Sequence, residues 1–393
     1  MEKELELEID ARTWPGNRPP KSLNAIVSPQ QVDLIAFLLM IGHCTVPAHG
    51  ARHAINTLWA WVRYFGAFSE DADLRVSEEF SELDPHQKTI LSDDFGMGMS
   101  LHVLTEALDL VGFCDGKYFI DRLAPRLPGG VHITATTAKN GARKSPDFVA
   151  LDARGRWHVI ECKGTQSGPS YCRTQMDRGL AQKRAIEFRG TLKGQSLVTG
   201  FDIASAASDT ASRLVIIDPE PEGPPLEIGP DDRPFIRDCV ARGTIARAMM
   251  LAGAPNLSRL VAAPFGDDPR LRADDETTSF RRKRAAQLRE EGKDDRERLT
   301  SAGEYLGREM TIELPFEVKT PKGSFRQATV RSEILDDVVK EFEEEVRSDS
   351  TEHLDRLARS QQNLAVSRIK TETTERGGLL SVGNLFRSLI EFR

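Results

Sequence analysis

The chain has few cysteines, no long apolar run and no surplus of positive charge, and each shortage removes a class of protein. Its 393 residues hold five cysteines, at positions 44, 114, 162, 172 and 239. They are odd in number and scattered, without the spacing of a zinc site or the density of a disulfide scaffold. Such usage is expected of a protein of the reduced cytoplasm. No apolar stretch reaches the ~20 residues that span a bilayer. The acidic start MEKELELEID is not that of a signal peptide, so no membrane partner is expected. No internal repeat is visible. The net charge of −7 would argue against nucleic acid if charge were evenly spread.

Charge is not evenly spread. Residues 141 to 200 carry 11 Lys/Arg against 5 Asp/Glu, a local balance of +6. Distribution decides phosphate binding more than the total does. Inside this basic part stands SPDFVALDARGRWHVIECKGTQ, residues 145 to 166. Two short β-rich segments flank Ala153-Arg154-Gly155, and a three-residue loop ending in glycine suits a hairpin that needs one left-handed residue. A turn centred on Arg154 sets Asp147 opposite Glu161. Alternation along the second strand puts Val159, Glu161 and Lys163 on one face and His158, Ile160 and Cys162 on the other. Opposed residues have Cβ atoms ~4.5–5.5 Å apart, so two carboxylates and an ammonium converge.

Two close carboxylates repel each other unless one keeps its proton or a cation lies between them. Hard cations such as Mg²⁺ accept such oxygen ligands. A lysine beside metal-bound water then suits attack on a phosphodiester. The plain alternative is a structural salt bridge from Lys163 to Glu161 or Asp147.

Pro146-Asp147 followed by Glu161-Cys162-Lys163 resembles the PD-(D/E)xK nuclease superfamily. The resemblance spans about residues 88 to 220. It implies an α/β fold, a restriction-endonuclease-like mixed sheet flanked by helices, with the core order helix, three-stranded meander, helix, strand. Residues 90–112 would be the first helix and 130–137 the first strand. Residues 171–188 would be the second helix, with QSLVTGF and RLVIIDP as later strands. The resemblance further implies that Asp147 and Glu161 bind Mg²⁺ (or Mn²⁺), that Cys162 lends its carbonyl, and that Lys163 is catalytic. Many members carry a Glu on the first helix, where this chain has Gly96-Met97-Gly98-Met99. Asp94, one turn earlier, is the candidate for that ligand, with an N-cap as its alternative role. Glu106 lies off the apolar stripe of Met97, Leu101, Leu104 and Leu108 and is the weaker choice. Gln175, Arg178 and Gln182 fall on one stripe of the second helix, facing either nucleic acid or plain solvent.

The remaining chain divides into a helical N-terminal region, 1–87, the nuclease-like domain, 88–265, and a charged helical and hairpin region, 266–393. The last is expected to turn at Pro321-Lys322-Gly323 and to end in helix. His43, Cys44, His49 and His53 lie near one another in sequence, but loop and cap roles suit them better than a metal site. His158 and Cys162 are ~13 Å apart along a strand, too far for a nucleophile and its base. The basic run Arg281-Arg282-Lys283-Arg284 reads as a solvated helix. The expected function is a Mg²⁺-dependent endonuclease, for DNA before RNA. By resemblance alone it is a restriction or anti-phage effector, working as a homo-oligomer or with a partner of that system. The alternative is a catalytically silent nuclease fold that binds nucleic acid or protein.

Overall fold

A computed structural model describes residues 1–26, 28–46, 63–123, 145–183, 185–218, 226–262, 286–287, 290–320, 322–347 and 368–393. The fold is mixed α/β. In chain order the first strands are β1 (Glu2–Ile9), β2 (Gln30–Asp33), β3 (Leu110–Asp115), β4 (Phe148–Asp152) and β5 (Trp157–Thr165). Next come β6 (Ile186–Phe188), β7 (Lys193–Asp202), β8 (Arg213–Ile217) and β9 (Leu226–Ile228). Seven of them form one sheet in the order β2-β1-β8-β7-β5-β4-β3, and β6 pairs with β9 apart from it. β3, β4 and β5 make an antiparallel meander, and β7 then joins β5 in parallel.

The β4–β5 hairpin closes as its sequence predicts. Phe148 pairs with Ile160 and Leu151 with Trp157, a register centred on Arg154. Gly155 takes the left-handed turn position at φ +77°. Asp152 holds the loop by accepting the N–H groups of Arg154 and Arg156 at 2.9 and 2.8 Å.

Helices cover both faces of the sheet. The first core helix, Pro85–Ala107, is capped by Asp84, which accepts from His86 N at 2.9 Å. It crosses β5 backbone to backbone, on the Cys162 face. A Cβ on Gly164 would lie 1.8 Å from the Ser92 carbonyl oxygen, and one on Gly96 would lie 2.7 Å from Gly164 N. A Cβ on Gly98 would meet Ile41 at 2.3 Å. The glycines thus serve close packing, which leaves no room for an acid at those positions. The second core helix, Pro169–Lys183, covers the opposite face and buries Cys172 and Met176 against Val198, Val215 and Ile217.

Four expectations need correction, among them the second helix, which stops at Lys183 while Ile186–Phe188 form β6. The first helix stops at Ala107, and residues 110–112, expected as its end, open β3, which runs on to Asp115. A short apolar run suits either state, and Asp109 at φ +55° breaks the helix before it. Residues 130–137 lie outside the described residues. The N-terminal region is not only helical, because β1 pairs with β8 and brings β2 into the central sheet. Its apolar helix, Leu34–Cys44, is buried along its whole length.

The chain also ends in strands, not in helix. The second sheet holds β10 (Thr300–Ala302), β11 (Tyr305–Thr320), β12 (Gly323–Leu335), β13 (Ile369–Thr374), β14 (Gly377–Val382) and β15 (Phe386–Phe392), in the order β10-β11-β12-β15-β14-β13. The expected hairpin is present, with Thr320 opposite Gly323. In β15 the buried Phe386, Ser388, Ile390 and Phe392 alternate with half-buried neighbours, the period of a strand. This sheet shares one core with the rest. A Cβ on Gly378 would lie 2.9 Å from Ile35, and His43 stacks on Phe386 at 5.8 Å. His43 and Cys44 are core residues; His49, His53 and the 281–284 run lie outside the described residues.

Candidate active site

Asp147 directly precedes β4, and Glu161 and Lys163 stand on β5. The hairpin register, continued one step beyond Phe148 and Ile160, brings Asp147 to Glu161. The Asp147 N–H donates to Glu161 Oε2 at 3.2 Å, and the Cys162 N–H donates to Asp147 Oδ2 at 2.7 Å. Lys163 Nζ donates to Glu161 Oε1. Glu161 is fully buried, while Asp147 and Lys163 are half-buried. The three residues expected from sequence are therefore in one patch. The N–H and C=O of a strand residue leave on the same side. The Cys162 carbonyl thus faces the Asp147 side, where the β4 ladder has ended. Its thiol points into the core.

Electrostatics sets this patch apart from an ordinary ion pair. Burial and the neighbouring Asp147 push the Glu161 pKa up to about 8, against the pull of Lys163. Burial also raises Asp147, with Asp93 and Asp115 adding to the rise and Lys163 and the Cys162 N–H opposing it. Burial works against the Lys163 charge, but Glu161 and Asp147 outweigh it and raise its pKa. One ammonium thus serves two carboxylates, and the site retains a proton near neutrality. Two carboxylates and a carbonyl match the hard-oxygen donor set of Mg²⁺, which takes few protein ligands and completes its shell with water and phosphate. Among the described residues no group of three or more His, Cys, Asp or Glu is gathered for a metal ion. Asp147 and Glu161 are thus the two side chains here that could hold a cation.

Asp94 does not reach this patch. Its carboxylate accepts the Tyr64 hydroxyl, and it lies mid-helix, so it is no N-cap either. Its neighbour Asp93 is the acid beside the site. Ser92 and Gly96 touch the Lys163–Gly164 backbone, and the charges of Asp93, Lys163 and Asp147 act on one another. Packing raises the Asp93 pKa and Lys163 opposes that rise, although the outer part of the residue is exposed. The Asp93-Asp94 pair was visible in sequence. Asp94 shares the phase of the apolar stripe through Met97 and Leu101, which points at the core, whereas Asp93 stands about 100° from it, toward the rim.

The second core helix roofs the site through Gly179. A Cβ there would lie 3.1 Å from Glu161 Cγ and 3.3 Å from Lys163 Cε. Gln182 Nε2 lies 3.5 Å from the Ser145 carbonyl oxygen, and Gln175 stands one turn before Gly179 on the same helix, whereas Arg178 is about 100° round from Gly179. Tyr171 continues the stripe toward the helix start, and it is an exposed aromatic. Arg178 is exposed and has no ion-pair partner among the described residues. Gly179 and Tyr171 are not among the residues expected from sequence, although Tyr171, Gln175 and Gly179 fall at i, i+4 and i+8 on one helix face.

His158 and Cys162 lie on the core side, as expected. His158 Nδ1 accepts the Gln195 N–H at 2.9 Å, so the ring proton sits on Nε2, 3.3 Å from Asp152. No family model, curated protein or solved structure matches this chain.

Proposed function

We propose that this chain is a divalent-metal-dependent nuclease of the PD-(D/E)xK type, hydrolysing phosphodiester bonds of DNA. The observation that carries the reading is the meeting of Asp147, Glu161 and Lys163 at the open end of a hairpin, with two carboxylates to one ammonium. The order of a helix, a three-stranded meander, a second helix and a parallel strand supports a restriction-endonuclease-like core.

Asp147, Glu161 and the Cys162 carbonyl would hold Mg²⁺ or Mn²⁺, with Asp93 as an outer acid. When bound, the cation supplies a lowered water pKa and charge neutralisation at the phosphate. Lys163 orients the attacking water and stabilises charge on the phosphate oxygens. Arg178 and the glutamines of the second core helix contact the strand backbone, and Tyr171 offers a ring on which an unstacked base can lie.

A second reading has one observation in its favour. Glu161 already accepts from Lys163 and Asp147 already accepts from Cys162 N, as in a closed structural cluster. A silent binding module would keep them so. Incubation of supercoiled plasmid and of single-stranded RNA with Mg²⁺ or Mn²⁺, with EDTA and Asp147→Asn as controls, separates the two. Metal-dependent nicking that Asp147→Asn abolishes supports the nuclease. Binding without cleavage at any metal concentration supports the module, and cleavage of RNA alone would correct the substrate.

A further inference from the structure

A cavity of about 330 Å³ lies beyond the C-terminal end of the second core helix, away from the acidic patch. That is the size of a small-molecule site. Trp14, Trp157 and Phe188 provide its flat apolar walls, with Trp157 and Phe188 stacked at 5.9 Å.

One wall is made by a backbone irregularity. Trp157 pairs with Lys193 but Val159 pairs with Ser196, so β7 has one residue more than β5 over this step. Bulges of this kind re-aim side chains and gather at functional sites. Glycine is required at its centre, because a Cβ on Gly194 would lie 2.3 Å from the Trp157 carbonyl oxygen. The bulge presents Gln195 to the cavity. Its backbone N–H is fixed by His158 and its Oε1 accepts from Trp14 Nε1 at 3.0 Å. The NH₂ of Gln195 is left as a donor, without a partner among the described residues.

The charges around the cavity are unequal. Asp218 pairs with Lys183 at 2.8 Å, and Arg189 is shared between Glu187 at 3.4 Å and Glu227 at 2.5 Å, which leaves one acid charge there against two cations. Arg18 and Lys193 line the same cavity and have no ion-pair partner among the described residues. The free charge is therefore positive, beside flat rings and an amide donor.

We propose that this cavity binds a nucleoside monophosphate, with its base among Trp14, Trp157 and Phe188, an edge on Gln195, and its phosphate toward Arg18 and Lys193. The ligand is either a free nucleotide or the terminal nucleotide of a strand. The assignment does not depend on the nuclease reading.

Calorimetric titration of the full chain, without divalent metal, with AMP, GMP, CMP and UMP and with their nucleosides tests it. At least one nucleotide should bind saturably and its nucleoside roughly tenfold more weakly, the worth of one charge-assisted contact. Lys193→Ala, at an exposed position, should lower nucleotide affinity to about that of the nucleoside. Gln195→Glu keeps the acceptor for Trp14 while replacing the donor, and should weaken binding by roughly tenfold or more. Both variants should melt as the wild type does. Displacement of the nucleotide by a short 5′-phosphorylated single strand assigns the site to strand ends, and its absence assigns it to free nucleotides. No saturable binding at millimolar nucleotide, equal binding of nucleoside and nucleotide, or wild-type affinity in both variants would overturn the proposal.

Discussion

Asp147 and Glu161 brace each other at the mouth of the β4–β5 hairpin: the backbone N–H of Asp147 donates to Glu161, 3.2 Å away, while Asp147 accepts from the residue after Glu161 at 2.7 Å. Each carboxylate is thus tied to the other's strand, and neither can swing away from the other's charge.

That proximity makes stability depend on pH in a defined direction. Glu161 titrates near 8 in the folded chain because of burial and Asp147, whereas an unfolded glutamate titrates near ~4.3. The folded form holds the proton more tightly, so stability falls as pH rises from the ordinary carboxylate range to about 8 and then levels. Asp147 and Asp93, also raised, act in the same sense. Asp152, held near 2 by His158 and Arg156 despite burial, titrates below this window. In EDTA the melting temperature of Glu161→Gln should therefore gain on that of the wild type between about pH 5 and 8, a difference from which the buried His43 and His102 cancel, their depressed pKa values acting in the opposite sense up to about pH 6.5 in both proteins. Mg²⁺ or Mn²⁺, which competes with the proton, should raise Tm more at pH 8 than at pH 5.5. The same difference in Tm between wild type and variant at pH 5 and at pH 8 would contradict the frustrated pair.

The two adjacent helix acids should part company on substitution. Asp93→Asn removes a charge felt by Asp147 and Lys163, and should lower metal-dependent cleavage roughly 10–100-fold, the usual cost of an outer partner of a metal site. Asp94→Asn keeps an acceptor for Tyr64 and should change stability by no more than about 1 kcal/mol, with cleavage unchanged. Rates measured at saturating Mg²⁺ decide it, and the reverse ranking would restore Asp94 as the helix ligand.

Gly179 offers a steric test of the same site. Helix glycine to alanine ordinarily gains about 0.5–1 kcal/mol. Here the new methyl would stand 3.1 Å from Glu161 Cγ and 3.3 Å from Lys163 Cε, tight but against side chains that can yield. Gly179→Ala should thus give little or none of that gain and reduce cleavage, and Gly179→Val should abolish cleavage while the chain stays folded. Denaturant melts and nicking rates on the same preparations check both halves. Full activity in Gly179→Val would show that Glu161 and Lys163 do not need this roof.

The hairpin and its three site residues were legible in sequence because both signals are local. A period of two fixes the face, and a single glycine fixes the turn and hence the register. Asp93 was not legible, since its role depends on how the Pro85–Ala107 helix is rotated over β5, and Gly96 and Gly164 set that rotation through backbone contact. β3 was hidden because Leu110 to Cys114 is apolar throughout and carries no alternation. β15 does alternate, but its buried set mixes Ser388 with aromatics, which blurred the pattern. The cavity at Gln195 was out of reach, because a bulge is a mismatch between two strands far apart in the chain.

Lys163 separates catalysis from binding most cleanly. It carries the only side-chain ammonium hydrogen-bonded to Glu161 among the described residues, and it is no metal ligand in the mechanism proposed. Lys163→Ala should therefore leave Mn²⁺ binding in place or strengthen it, since a competing cation has gone from two carboxylates. Cleavage should fall roughly 10²–10⁴-fold, the range for loss of a group that assists proton transfer. Nucleic-acid affinity should lose one phosphate contact, lowering the salt slope by about one unit. Asp147→Ala should differ by losing metal affinity together with cleavage. Lys163→Met retains the length of the stem without the charge, and should behave as Lys163→Ala if charge, and not packing under Gly179, is what matters. Metal titration and plasmid nicking at fixed salt on these three variants give the answer. A Lys163→Met variant that cuts at the wild-type rate would remove the ammonium from the mechanism, and a wild type that binds Mn²⁺ yet never cuts would leave a binding module in its place.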